Sequence, residues 1–342
     1  MKKTVLFAAA MLALPACSPA QDKPASKAVS ETELSAALKS KDAQTRESAA
    51  VELGMRGGVK SLPALVEALK DKSSDVRREA AQSLGRLDDE QAVDPLADAL
   101  DNDANPQVRA EAAAALGEIG SLKGVAALVK AAETEQDVSA RAVCITALGR
   151  IEPGKETENA LLFALSDPET AIRLAAAKAL SNTSTLRAAA GLGSALLDDP
   201  EMQIRAIAAR SLGHCCAPDR ARSFYSEDLW GDPKVLLNLT GRPAKLEANT
   251  GKSLLYAMIK DSSPKVRGEA ALALGRTTDT RYTQFLITAL AEDADPYVRA
   301  MAATALGGIG DKSALNALTT AMQDTDANVR MAAGLAANRL PK

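Results

Sequence analysis

The residues best suited to chemistry are His214, Cys215 and Cys216, which are adjacent in the sequence. Imidazole and thiolate groups are zinc ligands, and paired cysteines can exchange between dithiol and disulfide. The spacing fits neither role, because neighbouring cysteines rarely chelate one ion and His214 is the one histidine of the chain. The sequence also lacks a C-x-x-C motif. The pattern favours buried thiols or a disulfide between the two neighbours, and it predicts no metal, cofactor or catalytic residue.

A second candidate is the segment Thr250-Gly251-Lys252-Ser253, which matches the end of a phosphate-binding loop. The complete pattern requires a glycine five residues before Gly251, where this chain has Leu246, and it follows a strand. We therefore set the phosphate loop aside and expect Thr250 to begin a helix.

Arginine recurs at a regular interval and is the third candidate. It stands at Arg46, Arg77, Arg109, Arg141, Arg173, Arg205, Arg267, Arg299 and Arg330. Successive arginines are 31 or 32 residues apart, except that 62 residues separate Arg205 from Arg267, which leaves room for two periods. Each lies within an apolar arc, so we expect its guanidinium to pair with acidic caps of its own or the next repeat. A row of anion-binding arginines is the less favoured alternative.

The positions around each arginine are typical of a helix. In most units alanine at +3 and +4 and leucine at +7 place apolar side chains on one face. A capping residue stands four positions before most arginines, and the glycine after the leucine is expected to end the helix. The capping residues are Asp42, Ser73, Asn105, Asp137, Ser263, Asp295 and Asp326. An amphipathic stretch precedes each such helix, so the sequence predicts about ten helix–turn–helix units.

The composition agrees with stacked helices. Of the 342 residues 70 are alanine, and only 3% are aromatic. Alanine favours helix, whereas a sandwich or barrel would need more β-branched and aromatic residues. The chain has 41 basic and 44 acidic residues, a net charge of −3. This balance argues against nucleic-acid binding, which requires a basic stripe.

These units resemble HEAT repeats of the phycobilisome-lyase kind over residues 30–342. The resemblance implies an all-α fold, a right-handed α-solenoid in which the second helix of each unit lines the concave surface. Residues 217–250 would form a degenerate unit, since Asp232-Pro233-Lys234-Val235 matches a unit opening and Leu236 takes the arginine position. The family serves many kinds of binding, so the resemblance implies no particular activity.

The N-terminus resembles a bacterial lipoprotein signal peptide. A short basic start precedes an apolar run over residues 4–14, which ends in Leu-Pro-Ala followed by Cys17. This run is too short to span a bilayer. The resemblance implies that residues 1–16 are removed, that Cys17 is acylated, and that residues 17–29 are a flexible tether. It also implies an outer-membrane lipoprotein facing the periplasm; an ordinary secretory signal is the alternative.

The positions of the second helices that are expected to be exposed form an exposed line along the stack. The residues on this line become apolar in the later units, and the degenerate unit adds aromatic residues. These candidates for binding a protein partner are Val143, Leu174, Ile207, Met301, Met331, Phe224, Tyr225 and Trp230. The alternative is that they simply pack against neighbouring repeats.

Together these patterns lead to two hypotheses. The first is a non-enzymatic, lipid-anchored periplasmic scaffold that binds protein partners through its concave surface. The second is a lyase-like enzyme or accessory protein that holds a small ligand near Cys215 and Cys216.

Overall fold

The computed structural model describes residues 30–341, except for residues 57, 153, 184 and 216–249. Within these ranges the chain forms eighteen α-helices and no strand, arranged as nine successive helix pairs. The first helices of the pairs are α1 (Glu31–Ala37), α3 (Leu62–Ala68), α5 (Val93–Asn102), α7 (Val125–Thr134), α9 (Lys155–Ala164), α11 (Leu186–Asp198), α13 (Thr250–Lys260), α15 (Thr283–Glu292) and α17 (Leu315–Ala321). The second helices are α2 (Ala43–Arg56), α4 (Ser74–Leu87), α6 (Pro106–Ile119), α8 (Val138–Leu148), α10 (Thr170–Ala179), α12 (Met202–Cys215), α14 (Pro264–Arg276), α16 (Pro296–Ile309) and α18 (Ala327–Arg339).

Each pair packs against the next, and second helices contact second helices along the whole stack. The predicted all-α solenoid is therefore confirmed. Thr250 begins a helix, as the sequence predicts in place of a phosphate loop.

The core is built from the repeated alanine and leucine positions. In α4 the residues Ala80, Ala81 and Leu84 are completely buried. The first helices contribute larger side chains, such as Leu65 and Leu96, to the same continuous core. A unit of this size cannot bury its two apolar faces alone, so its stability depends on the neighbours that cover them.

Most of the predicted capping residues do cap. The side chains of Asn105, Asp137, Asp295 and Asp326 accept hydrogen bonds from backbone N–H groups of the helices they precede. These bonds satisfy donors that have no partner within the helix. Ser73 and Ser263 occupy the capping position without a side-chain bond to the helix.

The prediction that the repeated glycine ends the helix is wrong for most units. Gly85 and Gly117 are buried inside α4 and α6, which continue to Leu87 and Ile119. The left-handed residues that end these two helices come later, at Asp88 with φ 51° and at Gly120 with φ 65°. The buried glycines have a different role, which is a close contact between successive second helices.

The repeats on either side of residues 216–249 stack directly on each other. Helix α12 packs against α14, and α11 packs against α13. Arg205 and Arg267 therefore belong to units that are adjacent in the stack, although 62 residues separate them in the sequence. The degenerate unit predicted at residues 217–250 falls almost entirely outside the described residues.

Candidate functional site

The exposed line of the second helices holds the described candidates for partner binding. Val143, Leu174, Ile207 and Met301 are half-buried and pack against the core. Met331 is different, because 62% of it is exposed. Phe224, Tyr225, Trp230, Cys216 and Cys17 lie outside the described residues, as does the side chain of Cys215.

Met301 and Met331 both line a groove of about 520 Å³ between α16 and α18. Tyr297 and Leu335 complete its apolar walls, and Leu335 is 56% exposed. Tyr297 and Met301 are four residues apart on α16, and Met331 and Leu335 are four apart on α18. Residues at this spacing lie on one face of a helix. The groove is therefore an apolar channel between two helices.

The ends of this groove carry charge. Asp295 and Asp326, at the N-termini of α16 and α18, line one end, and Arg339, in the last turn of α18, lines the other. One carboxylate oxygen of each aspartate accepts a backbone N–H, at 2.8 Å from the Tyr297 and Asn328 nitrogens. The groove thus combines an apolar floor with opposite charges at its two ends.

Gly268 in α14 has no side chain and so leaves space for the ring of Tyr297, which lines the groove. A Cβ added to Gly268 would lie 2.4 Å from Cε1 of Tyr297, so only glycine leaves room for this ring. The Lys265 ammonium lies 4.7 Å from the ring centroid and 3.0 Å from the phenolic oxygen. A cation over an aromatic face is attracted by the ring's quadrupole.

A buried carboxylate completes this arrangement. Glu269 is 4% exposed and accepts hydrogen bonds from Arg210 at 2.6 Å and Tyr297 at 3.1 Å. Lys265 adds an ion pair at 3.1 Å. Burial acts to raise the pKa of Glu269, but the bonds from Arg210 and Lys265 outweigh it and leave that pKa below its usual value. Glu269 is therefore an ionised anchor that joins α12, α14 and α16 behind the groove.

The sequence interpretation missed Tyr297, although a signal was present. Tyr297 stands two residues before Arg299, and the other eight units have no aromatic residue at that position. An aromatic side chain at a position that is otherwise small, polar or charged is a departure from the repeat. Gly268 is a second departure, since it replaces a residue with a side chain in the equivalent place of every other unit.

The repeated arginines form a ladder of ion pairs along the stack. Arg77 donates from Nε and Nη2 to the two carboxylate oxygens of Asp103 at 2.6 and 2.8 Å. Its Nη1 donates to the carbonyl oxygen of Asp71, in the loop of its own unit. Six other arginines each form an ion pair with an acidic residue that stands 25 or 26 positions later. They are Arg46, Arg109, Arg141, Arg173, Arg267 and Arg299.

Two features of this ladder differ from the sequence interpretation. The acidic partner is not the capping residue but the residue two positions before it, as with Asp103 and Asn105. Arg205 reaches Asp261, 56 residues later, with the same geometry, because the two units are adjacent in space. Arg330 donates to the carbonyl oxygens of Asp324 and Thr325. The carboxylates and carbonyls that these guanidinium groups contact leave little support for a row of anion-binding arginines.

The structure describes the side chains of two residues suited to imidazole or thiol chemistry, His214 and Cys144. Within the described part of the chain, no group of three or more His, Cys, Asp or Glu side chains could hold a metal ion. The His214 ring lies 3.4 Å from the Arg276 guanidinium. Cys144 is completely buried, and burial raises the pKa of its thiol to about 12. Among the described residues, no helix has the length and apolarity needed to cross a membrane.

Comparison with protein families identifies the repeats. The model of HEAT repeats matches residues 31–117, 125–213 and 283–341, more than half of the chain. The model of PBS lyase HEAT-like repeats matches residues 108–134 and 266–292. A search of curated proteins finds no match.

Several solved structures are similar at low identity. Human deoxyhypusine hydroxylase in complex with glycerol is 22% identical, with 90% of this chain and 95% of that chain covered and a TM-score of 0.34. The complex of CpcE and CpcF of phycocyanin lyase from Nostoc is 22% identical, with 75% and 97% covered and a TM-score of 0.44. The Escherichia coli protein YibA is 21% identical, with 81% and 92% covered and a TM-score of 0.49.

The expectation of a non-enzymatic protein is contradicted by these comparisons. The finding that contradicts it is the match of residues 108–134 and 266–292 to the model of PBS lyase HEAT-like repeats.

Proposed function

Because the chain belongs to the HEAT-repeat family, we propose that it is a binding solenoid that holds an apolar segment of a protein partner in the groove between α16 and α18. The observation that carries this proposal is the exposure of Met331 and Leu335 in a groove that Tyr297 and Met301 also line. Large apolar side chains grouped in a groove lose unfavourable contact with water when a partner covers them. Methionine side chains are flexible and adapt to the shape of such a partner.

The lyase-type repeats support a role beside enzyme chemistry. A solenoid that grips one protein can present it to an active site, either its own or that of a second subunit. The groove would then select the protein on which a reaction takes place.

A photocrosslinking experiment tests the groove directly. A photoreactive amino acid replaces Leu335 in the groove or, as the control, Phe163 on the first helix α9, which is 72% exposed. We expect a discrete crosslinked partner from position 335 and none from position 163. The substitution Met301→Asp should abolish that product while circular dichroism stays helical. Equal crosslinking from both positions, or a product that survives Met301→Asp, would exclude the groove as the binding site.

The cell-envelope location is a separate part of the proposal and rests on the sequence alone. We propose that Cys17 is acylated, and that the lipid holds the solenoid at the outer membrane on the periplasmic side. Several acyl chains anchor a protein stably, whereas one chain binds reversibly. Mass spectrometry of the N-terminal peptide should show a lipid on Cys17, and Cys17→Ala should move the protein from the membrane fraction to the soluble fraction. An unmodified Cys17 would refute this location.

The second candidate function is a lyase-like accessory that holds a small ligand near Cys215 and Cys216. The match to PBS lyase HEAT-like repeats favours it. Such a ligand, if it were a tetrapyrrole, would give the purified protein visible absorbance. The double variant Cys215→Ser with Cys216→Ser separates the two candidates. Loss of the absorbance supports the ligand site, and an unchanged crosslink at position 335 supports the groove.

A further inference from the structure

We infer that the groove between α16 and α18 receives an amphipathic helix that runs antiparallel to α18, with its acidic first turn at Arg339. This inference rests on the proposed function and names the shape, charge and direction of the partner segment.

The lining of the groove selects a helix over an extended segment. Both walls are helices, whose backbone N–H and C=O groups are already paired within α16 and α18. An extended segment would bring its own backbone groups into the groove and find no backbone partners there. A helix satisfies its backbone internally and presents only side chains.

The apolar residues have the spacing that a third helix needs. Tyr297 and Met301 form one ridge, Met331 and Leu335 form the other, and each pair spans one helical turn. Apolar side chains of a partner at positions i, i+4 and i+7 would fill the space between these ridges. The groove volume of about 520 Å³ accommodates a few such side chains.

The charges at the ends of the groove give the partner a direction. Asp326 and Arg339 are thirteen residues apart, so the charged ends are about 20 Å apart along α18. Within the described residues, neither Asp295, Asp326 nor Arg339 forms an ion pair. The partner should therefore carry acidic residues near Arg339 and basic residues near the two aspartates.

The helix dipoles support the same direction. The last turn of α18, which carries Arg339, has free carbonyl groups and a partial negative charge. The N-terminus of an antiparallel partner would bring its partial positive charge to this end. Acidic residues are also favourable in the first turn of that partner, and basic residues in its last turn. Dipole and side-chain charges thus agree on an antiparallel helix.

Two designed peptides test this inference. Each has fourteen residues, leucine at one helical face and a fluorescent label, and they differ only in whether glutamate begins and lysine ends the peptide or the reverse. Fluorescence anisotropy at low ionic strength measures their binding to the full chain. We expect the peptide that begins with glutamate to bind about fivefold more tightly, the order of effect that end charges exert.

The variant Arg339→Glu should reverse this preference, and Lys155→Glu, an exposed charge change on α9, should leave it unaltered. The double variant Met331→Ala with Leu335→Ala should weaken both peptides by about tenfold or more. Because both positions are exposed, the double variant is expected to fold normally.

Three results would overturn the inference. Equal affinity of the two peptides, unaffected by Arg339→Glu, would refute the direction. Failure of both peptides to bind, with the photocrosslink from position 335 intact, would refute the helical partner and leave the proposed function standing. A dimer that dissociates in the double variant, seen by sedimentation, would show that the groove holds a second copy of this chain.

Discussion

Gly275 and Ala305 lie so close together that a Cβ added to Gly275 would be 2.5 Å from the Ala305 Cα. The same contact joins each second helix to the next along most of the stack. The pairs are Gly54 with Ser83, Gly85 with Ala115, Gly117 with Ala147, Gly149 with Ala179, Gly213 with Ala273, and Gly307 with Ala336. This seam of small residues sets the spacing of the second helices, and it explains part of the high alanine content.

The seam predicts the effect of adding one carbon. Gly275→Ala should lower the free energy of unfolding by about 1–3 kcal/mol, the range seen for overpacked cores. Alanine favours helix over glycine by about 1 kcal/mol, but the new carbon meets the backbone of Ala305, which cannot move aside as a flexible side chain would. Urea unfolding followed by circular dichroism measures the change.

A matched control is available in α18. A Cβ added to Gly334 has nothing within 4 Å. Gly334→Ala should therefore raise the free energy of unfolding, by up to about 1 kcal/mol from helix propensity alone. If both variants shifted stability in the same direction, the close contact at Gly275 would not be the cause.

The repeat pattern of this chain reveals where its helices form but not how successive units contact each other. Hydrophobic period and capping residues determine where helices form, so the helix pairs were predictable. The role of Gly85 was not, because a glycine that ends a helix and a glycine that contacts a neighbouring helix look alike in one sequence. Contacts between units depend on the rotation of one pair against the next, which no single unit encodes.

The ladder partner is an intermediate case. An acidic residue stands six positions before the arginine in every unit except the first, where Ser40 occupies that place. This regularity was visible in the sequence, and it identifies Asp103 rather than the capping Asn105 as the partner of Arg77. The groove could be predicted only in part. Met301 and Met331 follow from their positions on the second helices relative to the repeated arginine, whereas the position of the Tyr297 ring depends on the space left by Gly268.

The individual ion pairs of the ladder should contribute unequally to the free energy of unfolding. Arg109 makes two short bonds to Glu135, at 2.6 and 2.8 Å, whereas Arg141 reaches Asp167 only once, at 3.3 Å. Among the described residues the Nε of Arg141 is buried without a hydrogen-bond partner. Arg109→Met should therefore cost about 2–3 kcal/mol, since it leaves the Glu135 carboxylate buried without its cation.

Arg141→Met is the matched comparison and should cost about 1 kcal/mol or less, because the bond it removes is longer and single. Denaturant unfolding of both variants gives the difference. Hydrogen exchange should then increase mainly in α6 to α8 of the Arg109→Met variant, since each unit of a solenoid contacts only its neighbours. Equal losses in the two variants would contradict a ladder whose strength follows its geometry.

The carboxylates of the ladder predict a loss of stability in acid. The hydrogen bond from Arg299 lowers the pKa of Asp324 to about 2, and the bond from Arg46 places the pKa of Asp71 below its usual value. A depressed folded-state pKa adds stability above the unfolded value of about 3.9. That stability is lost as the pH falls from about 4 towards 2.

The variant Asp324→Asn tests this contribution. At pH 7 the melting temperature of the variant should be lower than that of the original chain, because the Arg299 guanidinium loses its anion. The difference should shrink as the pH falls below about 4, since protonated Asp324 no longer contributes. Asp75→Asn, at an exposed position in the first turn of α4, is a control for the loss of one negative charge from the chain. A gap that stays constant down to pH 2 would contradict the assignment.

The Cys144 thiol should not react with alkylating reagents while the chain is folded. It occupies the +3 position, where all eight other units have alanine, and it is completely buried. A thiol whose pKa burial raises to about 12 carries almost no thiolate at pH 8, and thiolate is the reactive form. Alkylation at pH 8 followed by peptide mapping should leave Cys144 unmodified in the native protein and label it in denaturant.

Cys144→Ala should lower the free energy of unfolding by only about 1 kcal/mol, because the same position accepts alanine throughout the stack. Cys144→Ser should cost more, because it places a hydroxyl in an apolar core. Native labelling of Cys144 at a rate like that of a free thiol would show that α8 opens locally, and would contradict the complete burial of this side chain.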